Sequence, residues 1–471
     1  MAQYWWTRWW ILLVYSYVSG LQSLLWMTFS SVRDAAKDYL KVDDATLDLF
    51  LNFGPVAYCI SVVLAAWVLL ARPDGIRLSV RLASALCFAA SLIRSLPALL
   101  PESHRAAALP AVFIGQFINA AVAPLVVASP SYLSLLWFGE GQRNLATAIG
   151  NVANAVGRGV GFFLGPALVS SASDIPRLLA VEAALAALPL LCAIVYYPVL
   201  PSEPPSTAAA SEFRKFDGSC EEATVAAAAD EGLRAKLTTV QAEDQAIMPA
   251  ASSAGGSRAA AVVASIKSAA VDFRSCLRSR GLLLLTLSGG LQMAVYGAWS
   301  GTLPSVVSPP FSPDQAGVLG SVNTFAGVAG GIAAGLATDH PVLRTSLKRA
   351  ITALCLCAST LFAVLALALG PGAVAQVRDS LNFGALVSIC ALAGLLRGGA
   401  DPLYFELAAE CVHPLPAGAA GGILTFVYHL ILVVCLSVPP SAMAWSMVAM
   451  SAALLASAAL LAPVHVLYTR R

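Results

Sequence analysis

The sequence predicts an all-α polytopic membrane protein with twelve transmembrane helices in two six-helix, pseudo-symmetric lobes. Three observations lead to this fold class. Hydrophobic residues make up 58% of the 471 residues and charged residues only 11%, whereas a soluble globular chain is usually about 25% charged. Apolar runs fill about 200 residues at each end of the chain, and the polar segment 201–280 separates them. Two hydrophobic halves joined by a polar connection are typical of membrane folds built from internal repeats.

Six spans are predicted before the polar segment. Each is an apolar run of roughly 20 residues, which crosses a hydrocarbon core of about 30 Å at a rise of about 1.5 Å per residue. The first extends from about Trp9 to Val32 and follows a tryptophan-rich stretch of the kind that anchors helices at the membrane interface. The other five begin near Leu47, Leu78, Ala107, Ala146 and Leu178.

Six more spans are predicted after the polar segment, and they complete the predicted domains. Residues 1–200 form one lobe and residues 281–471 the other. The connection 201–280 is expected to be a cytosolic and disordered loop, because Ala, Ser, Gly, Pro and balanced charges cannot build a core. The spans of the second lobe begin near Gly281, Ala316, Leu347, Phe383, Ala417 and Ala442.

Lysine and arginine placement predicts the orientation. With the N-terminus inside, the cytosolic segments contain bases such as Arg72, Arg143 and Arg349, whereas the opposite loops hold few bases and mostly balance them with acids. The positive-inside rule then places both termini and the polar segment in the cytosol. The host membrane stays open between the plasma membrane and a lysosome- or vacuole-like membrane.

Composition and motifs exclude several functional classes. A net charge of +2 without a basic stripe predicts no nucleic-acid partner. No GxSxG, HExxH, Walker or Rossmann pattern occurs, so neither an enzyme nor a cofactor is expected. The ten cysteines are scattered without a CxxC pair, and they are expected to be small core residues rather than metal ligands. Without a nucleotide site, transport would be passive or driven by an ion gradient.

Charged residues within the predicted spans mark candidate functional positions, because a charge at bilayer depth is costly. Arg94 and Arg158 lie in the first lobe. Arg397, Asp401 and Glu406 lie in or just beyond the tenth span. Arg397 and Asp401 are four residues apart on one helical face, so they can neutralise each other. Arg158, Arg397, Asp401 and Glu406 are therefore the predicted gating or coupling residues.

Three further polar residues lie within the predicted spans or near their ends. Arg81 and Glu182 lie near the ends of their predicted spans, and both are expected to snorkel to the interface. His429 is in the middle of a span. It is either a neutral histidine hydrogen-bonded to another helix or a proton-coupling or ligand-binding residue, since imidazole titrates near neutral pH.

The chain resembles the major facilitator superfamily. More narrowly, it resembles the feline leukaemia virus subgroup C receptor-related family (solute carrier family 49), and within it the branch called "disrupted in renal carcinoma 2". The elements WFGEGQRNLATAI and PLYFELAAE are fairly specific to that family. The matching stretches cover both halves and exclude the polar segment: Gly20–Val32, Gly115–Ile149, Gly159–Val169, Ala294–Val306 and Pro402–Val427.

The resemblance implies a two-lobe fold that works by alternating access. It also implies that cationic substrates of the choline type lie between aromatic residues on the first and seventh spans, which match Trp26 and Tyr296 here. Ring faces of this kind bind cations or stack on π-rich solutes. Three positions depart from the family: its glutamines on the fifth and eleventh spans match Ala155 and His429, and Arg158 replaces a small residue. These departures leave room for a solute other than choline.

These observations predict a monomeric secondary transporter for a small organic solute. The expected site lies near the bilayer midplane, with Trp26 and Tyr296 facing each other across the lobes and Gln22, Thr425 and His429 supplying hydrogen bonds. The solute is a choline-like amine, a pyridoxine-like vitamin or haem, with protons as the candidate coupling ion. The alternative is a membrane sensor or scaffold that keeps the fold without transporting.

Overall fold

The computed structural model describes residues 2–70, 74–207, 209–210, 213, 278–307, 311–337, 346–370, 381–412, 417–438 and 445–464. Within these ranges the chain is almost entirely helical and contains no strand. Most of the predicted inter-lobe loop lies outside the described residues, and so does Ala442, the predicted start of the last span. The domain boundaries near residues 200 and 280 therefore stay a prediction.

The first half of the chain, up to residue 200, forms six long helices and two short connecting ones. The short helices are α2 and α6, and the long ones correspond to the six predicted spans. The helix α1 begins at Ala2 rather than near Trp9. The eight helices are α1 (Ala2–Ser31), α2 (Arg33–Leu40), α3 (Asp44–Leu70), α4 (Gly75–Arg94), α5 (Leu109–Val127), α6 (Pro130–Trp137), α7 (Glu140–Leu168) and α8 (Ile175–Val195).

The second half, from residue 280, contributes six long helices to the described residues. Three of them begin at the predicted residues, Leu347, Phe383 and Ala417. The six are α9 (Arg280–Val307), α10 (Pro313–Ala337), α11 (Leu347–Leu369), α12 (Phe383–Val412), α13 (Ala417–Leu436) and α14 (Ser446–Leu461).

Most of these helices are membrane spans by length and composition. Over the described ranges, nine are long and apolar enough to cross a membrane, and the apolar parts of α13 and α14 form two shorter ones. The twelfth long helix, α7, is more polar because it carries Glu140, Arg143 and Arg158. Its polarity fits its position, since it packs against α1 and against α10 of the other half.

Helix contacts repeat between the two halves. In the first half α1 packs on α7, α3 on α5, and α4 on both α5 and α8. In the second half α9 packs on α13, α10 on α12, and α11 on both α12 and α14. Each pairing in one half thus has its counterpart in the other. This correspondence is the pseudo-symmetry that the sequence predicted.

Over the described residues, the most extensive contacts between the halves are those of α7 with α10, α3 with α13, and α1 with α9. The Ser30 hydroxyl at the end of α1 donates a hydrogen bond of 2.7 Å to the carbonyl oxygen of Gly301 on α9. The Ser321 hydroxyl on α10 reaches the carbonyl oxygen of Gly159 on α7 at 3.4 Å. In the part of the chain that the structure describes, these two hydrogen bonds add to extensive helix packing between the halves.

Glycine permits the closest crossing within each half. A Cβ atom on Gly157 would overlap the carbonyl oxygen of Gly20 where α1 crosses α7. A Cβ atom on Gly398 would likewise overlap the carbonyl oxygen of Gly327 where α10 crosses α12. Close backbone approach gains packing energy in lipid, where no hydrophobic force drives helices together.

Candidate functional site at the contact between the two halves

A hydrophobic cluster spans the contact between the halves, where the C-terminal parts of α1, α7 and α13 meet the middle of α9. The first half contributes Trp26, a large aromatic side chain that is only 9% exposed. The second half contributes small and branched aliphatic residues from α9 and α13. The buried members are Trp26, Met27, Phe162, Ala294, Ala298, Leu432 and Leu436.

Trp26 and Tyr296 lie on opposite sides of this contact, but their rings belong to different clusters. Trp26 shares the inter-half cluster with Ala294 and Ala298 of α9. Tyr296 belongs instead to the core of the second half, together with Trp299. Tyr296 contacts Asn323 of α10 and Arg397 of α12, and the expected face-to-face pairing of the Trp26 and Tyr296 rings across the lobes stays a prediction.

The ring of Tyr296 is covered by an arginine. The guanidinium carbon Cζ of Arg397 lies 3.7 Å from the ring centroid, within cation–π distance. The Tyr296 hydroxyl donates a 3.1 Å hydrogen bond to Oδ1 of Asn323 on α10. Asn323 in turn donates to the carbonyl oxygen of Cys390 on α12. One side chain, Tyr296, therefore joins three helices of the second half and carries a cation on its face.

Asp401 balances the charge of that arginine. The predicted pair forms, with Nη2 of Arg397 bonded to Oδ2 of Asp401 one helical turn away on α12. The other carboxylate oxygen accepts a 2.9 Å hydrogen bond from Nε2 of Gln292 on α9. The Arg397 side chain is 8% exposed, whereas the Asp401 side chain is 30% exposed. The carboxylate is accordingly the more accessible member of the pair.

An aromatic contact crosses between the halves where α3 packs against α13. The rings of Tyr58 and His429 stack in parallel, with centroids 3.5 Å apart and an interplanar angle of 3°. Nδ1 of His429 lies 2.7 Å from the carbonyl oxygen of Thr425. A carbonyl oxygen only accepts, so Nδ1 carries the proton of this bond, and in the neutral imidazole Nε2 then keeps its lone pair. Tyr428 packs edge-on against the same imidazole at 4.3 Å.

Arg158 on α7 brings a further positive charge to this region. The residue is half-buried, and its Nε atom is buried without a hydrogen-bond partner among the described residues. Its charge acts electrostatically on Tyr428 and His429 of α13. Arg158 therefore faces the second half rather than the lipid.

The remaining predicted site residues have other surroundings. Nε2 of Gln22 donates to the carbonyl oxygen of Asn119, and Oε1 of Gln22 accepts from Asn154, both at 3.3 Å. The hydroxyl of Thr425 bonds to backbone carbonyls of its own helix. Glu406 is exposed on α12. In this conformation Gln22 and Thr425 direct their hydrogen bonds to the protein itself.

Arg94 forms a buried network away from the contact surface. Nη2 of Arg94 pairs with Oε2 of Glu182 at 2.9 Å, and the two side chains are 0% and 2% exposed. Nη1 of Arg94 also donates to the carbonyl oxygen of Leu25 and the hydroxyl of Thr28. The expectation that Glu182 snorkels is wrong, because pairing with Arg94 from α4 stabilises the carboxylate inside the bundle.

Four residues of the contact region were missed by sequence reasoning: Tyr58, Gln292, Asn323 and Tyr428. Two carried a usable signal. Gln292 precedes Tyr296 by four residues, so both lie on one face of α9. Tyr428 adjoins the singled-out His429. Tyr58 and Asn323 gave no signal, because only the tertiary packing of α3 on α13 and of α10 on α9 brings them to the site.

Two pseudo-symmetric six-helix halves that meet around aromatic and charged side chains define a polytopic membrane transporter. The sequence agrees with this class, since it matches the Major Facilitator Superfamily over residues 11–435. That match covers most of the chain, and the protein belongs to this superfamily.

Known relatives show which members of the superfamily the chain resembles. The "Solute carrier family 49 member 4 homolog" of Xenopus laevis is 25% identical over 449 residues, which cover 91% of this chain and 84% of the relative. The "Choline/ethanolamine transporter flvcr2b" of Danio rerio is 22% identical over 440 residues, covering 91% and 77%. The predicted resemblance to solute carrier family 49 is confirmed.

Solved structures share the fold. The proton:xylose symporter XylE bound to 6-bromo-6-deoxy-D-glucose superimposes with a TM-score of 0.63, at 16% identity, over 98% of this chain and 96% of that one. A further D-xylose-proton symporter gives 0.61 at 13% identity, over 98% and 99%. These similarities concern the fold alone. Superfamily, relatives and fold agree that the chain is a membrane transporter that moves a small solute by alternating access.

Proposed function

We propose that this transporter carries a small, flat, hydroxylated heteroaromatic solute of the pyridoxine class rather than a quaternary amine. One observation carries the proposal: a guanidinium already occupies the aromatic face that a cation would need, 3.7 Å from the centroid of Tyr296. Guanidinium groups present several N–H donors to hydroxyl or phenolate oxygens and also stack on aromatic planes. A flat ring with polar substituents suits such surroundings.

The local charge also favours a solute of the pyridoxine class over a quaternary amine. Arg158 and Arg397 are positive and Asp401 is negative, so these three charges sum to +1. A positive field disfavours a permanent cation and favours a neutral or anionic solute. Choline and ethanolamine are the rival solutes, because one relative is named as a choline/ethanolamine transporter. Haem is the third, and His429 is its one predicted intramembrane ligand.

The stack between Tyr58 and His429 suggests where a flat solute inserts. Two parallel rings at 3.5 Å are already at van der Waals contact, and one belongs to each half. When the halves separate during alternating access, each ring exposes a face that can stack on a planar solute. Trp26, Gln22 and Thr425 complete the proposed binding residues, and Tyr296 supports Arg397.

Gating and coupling are proposed for Arg158, Arg397, Asp401 and Glu406. Asp401 is the strongest candidate for proton coupling, since its side chain is 30% exposed and its protonation would release Arg397. His429 is the second candidate. We further propose a monomer with cytosolic termini, in the plasma membrane or in a lysosome- or vacuole-like membrane, that catalyses no reaction.

The test is uptake of labelled pyridoxine, choline and haem into proteoliposomes, with and without an inward proton gradient. We expect gradient-dependent uptake of pyridoxine, abolished in Trp26→Ala and Tyr296→Ala without loss of folded protein. Trp445→Ala removes an exposed tryptophan and serves as the matched control. Normal uptake in both site variants would contradict the site.

The other outcomes separate the alternatives. Uptake of choline alone, independent of the gradient, would replace the proposed solute class with that of the relatives. Binding of a solute without its release into the liposome lumen would favour the sensor or scaffold function. Loss of gradient dependence in Asp401→Asn, but not in His429→Ala, would assign proton coupling to the carboxylate.

A further inference from the structure

Arg397 holds the position that an organic cation would take at an aromatic and acidic site. Its guanidinium lies over the ring of Tyr296 at 3.7 Å and is bonded to the carboxylate of Asp401. An aromatic face and a carboxylate are together the groups that recognise an ammonium ligand. In this protein, both groups are already engaged by a side chain of α12.

We propose that Arg397 is a specificity-determining residue, a tethered cation that excludes organic cations from Tyr296 and Asp401. The inference rests on the solute site proposed above. A single residue of this chain, Arg397, would then explain why organic cations are excluded. A chain with an uncharged residue at position 397 would offer an open aromatic face beside a free carboxylate.

The packing around the pair explains why a diffusing cation does not replace Arg397. Asp401 is four residues away on the same helix, so the ion pair forms without bringing two molecules together. Gln292 and Asn323 hold the carboxylate and the tyrosine hydroxyl in place by hydrogen bonds of 2.9 and 3.1 Å. The acceptor groups are therefore already arranged for the guanidinium.

Removing the guanidinium changes both the available surface and the field. The charges of Arg158, Arg397 and Asp401 sum to +1, and the substitution Arg397→Gln lowers this sum to zero. It also uncovers the ring of Tyr296. A desolvated cation–π contact contributes about 2 kcal/mol, which corresponds to roughly a 30-fold change in affinity. We therefore expect Arg397→Gln to bind choline roughly 30-fold more tightly than the wild-type protein.

The experiment measures the midpoint of thermal unfolding of the purified full-length protein in detergent, titrated with choline. A ligand that binds only the folded state raises this midpoint, and the stabilisation grows with the logarithm of one plus the ratio of the free choline concentration to its Kd. Choline should stabilise Arg397→Gln at concentrations that leave the wild-type protein unchanged. Arg397→Lys keeps the cation and should stay insensitive, as should the exposed-site control Arg349→Gln.

Two double variants keep the inference testable. Arg397→Gln with Tyr296→Leu removes the aromatic face and should lose the gained choline response. Arg397→Gln with Asp401→Asn avoids an unpaired carboxylate, and it should keep a weaker response if the single variant does not fold. Equal choline responses in wild-type and both Arg397→Gln proteins would overturn the inference. Failure of pyridoxine uptake by the wild-type protein, with the choline response of Arg397→Gln intact, would instead overturn the proposed solute class.

Discussion

Among the described residues, two arginine–carboxylate pairs of the spanning helices have opposite surroundings. Arg94 and Glu182 connect α4 to α8, and their side chains are 0% and 2% exposed. Arg397 and Asp401 belong to one helix, and the carboxylate is 30% exposed at the contact between the halves. The first pair also bonds to α1 through Leu25 and Thr28, whereas the second covers an aromatic ring.

This contrast separates the charges that stabilise the fold from those that are available for transport. Glu182 accepts hydrogen bonds from both Arg94 and Thr28, so its two oxygens are satisfied inside one half. Asp401 bonds across α9 and α12 and still reaches a partly open space. Burial with both carboxylate oxygens paired indicates a structural role. Exposure next to an aromatic face indicates a functional one.

The largest expected effect is a loss of folding stability when the pair of Arg94 and Glu182 is broken. Replacing Glu182 by Ala leaves Arg94 charged and buried without its partner, which costs about 3–5 kcal/mol. Glu182→Gln keeps two polar atoms in place and should be less destabilising. Thermal unfolding of the detergent-purified protein measures both. Wild-type stability in Glu182→Ala would show that water, rather than Glu182, compensates Arg94.

The next largest effect concerns the helix crossing in the same half. In Gly157→Ala the new methyl group overlaps the backbone of Gly20, so α1 and α7 must separate. Overpacking of this kind costs about 1–3 kcal/mol. Gly422→Ala on α13 is the matched control, since nothing lies within 4 Å of its Cβ position. A lower unfolding midpoint in the control than in Gly157→Ala would contradict the close crossing.

A smaller effect on stability, but a clear one on transport, is expected for Asp401→Asn. The variant loses the ion pair with Arg397 and keeps an oxygen that can accept a hydrogen bond. Because the site is partly exposed, we expect less destabilisation than in Glu182→Ala and a decrease in uptake rate of about tenfold, which corresponds to about 1.4 kcal/mol. Normal uptake with a large loss of stability would reverse the roles of the two pairs.

The smallest effect is predicted for the ring stack between the halves. Tyr58→Leu removes one ring, and an aromatic pair contributes about 0.5–1.5 kcal/mol beyond its buried area. The equilibrium between closed and open arrangements of α3 and α13 should then shift by about fivefold. Distances between spin labels on the two helices measure that shift. Tyr58→Phe keeps the stack and should behave as the wild type does.

The fold was predictable from the sequence because hydrophobic length alone identifies spanning helices. The starts at Leu347, Phe383 and Ala417 agree with the structure to the residue. The ion pair of Arg397 and Asp401 was predictable too, since both lie on one helix. The partner of Arg94 was not, because α4 and α8 are distant in sequence and only their packing brings Glu182 into contact.

The candidate site was only partly predictable for the same reason. Sequence reasoning selected Trp26, Tyr296 and His429 from their positions in the spans and from a family resemblance. It did not reveal that Arg397 covers Tyr296 or that Tyr58 covers His429, because these contacts join separate helices. Side-chain direction within a helix is decided by the neighbouring helices.

The parallel stack of Tyr58 on His429 has a mechanical consequence. Its rings meet at 3.5 Å with a tilt of 3°, so they can slide past each other in parallel planes while contact is lost gradually. A hydrogen bond or ion pair at the same place would break abruptly and would expose an unsatisfied polar group. A stacked pair instead exposes no unsatisfied polar group as it separates. The two halves can therefore shift relative to each other without an abrupt loss of contact, in the microsecond-to-millisecond range of domain motions.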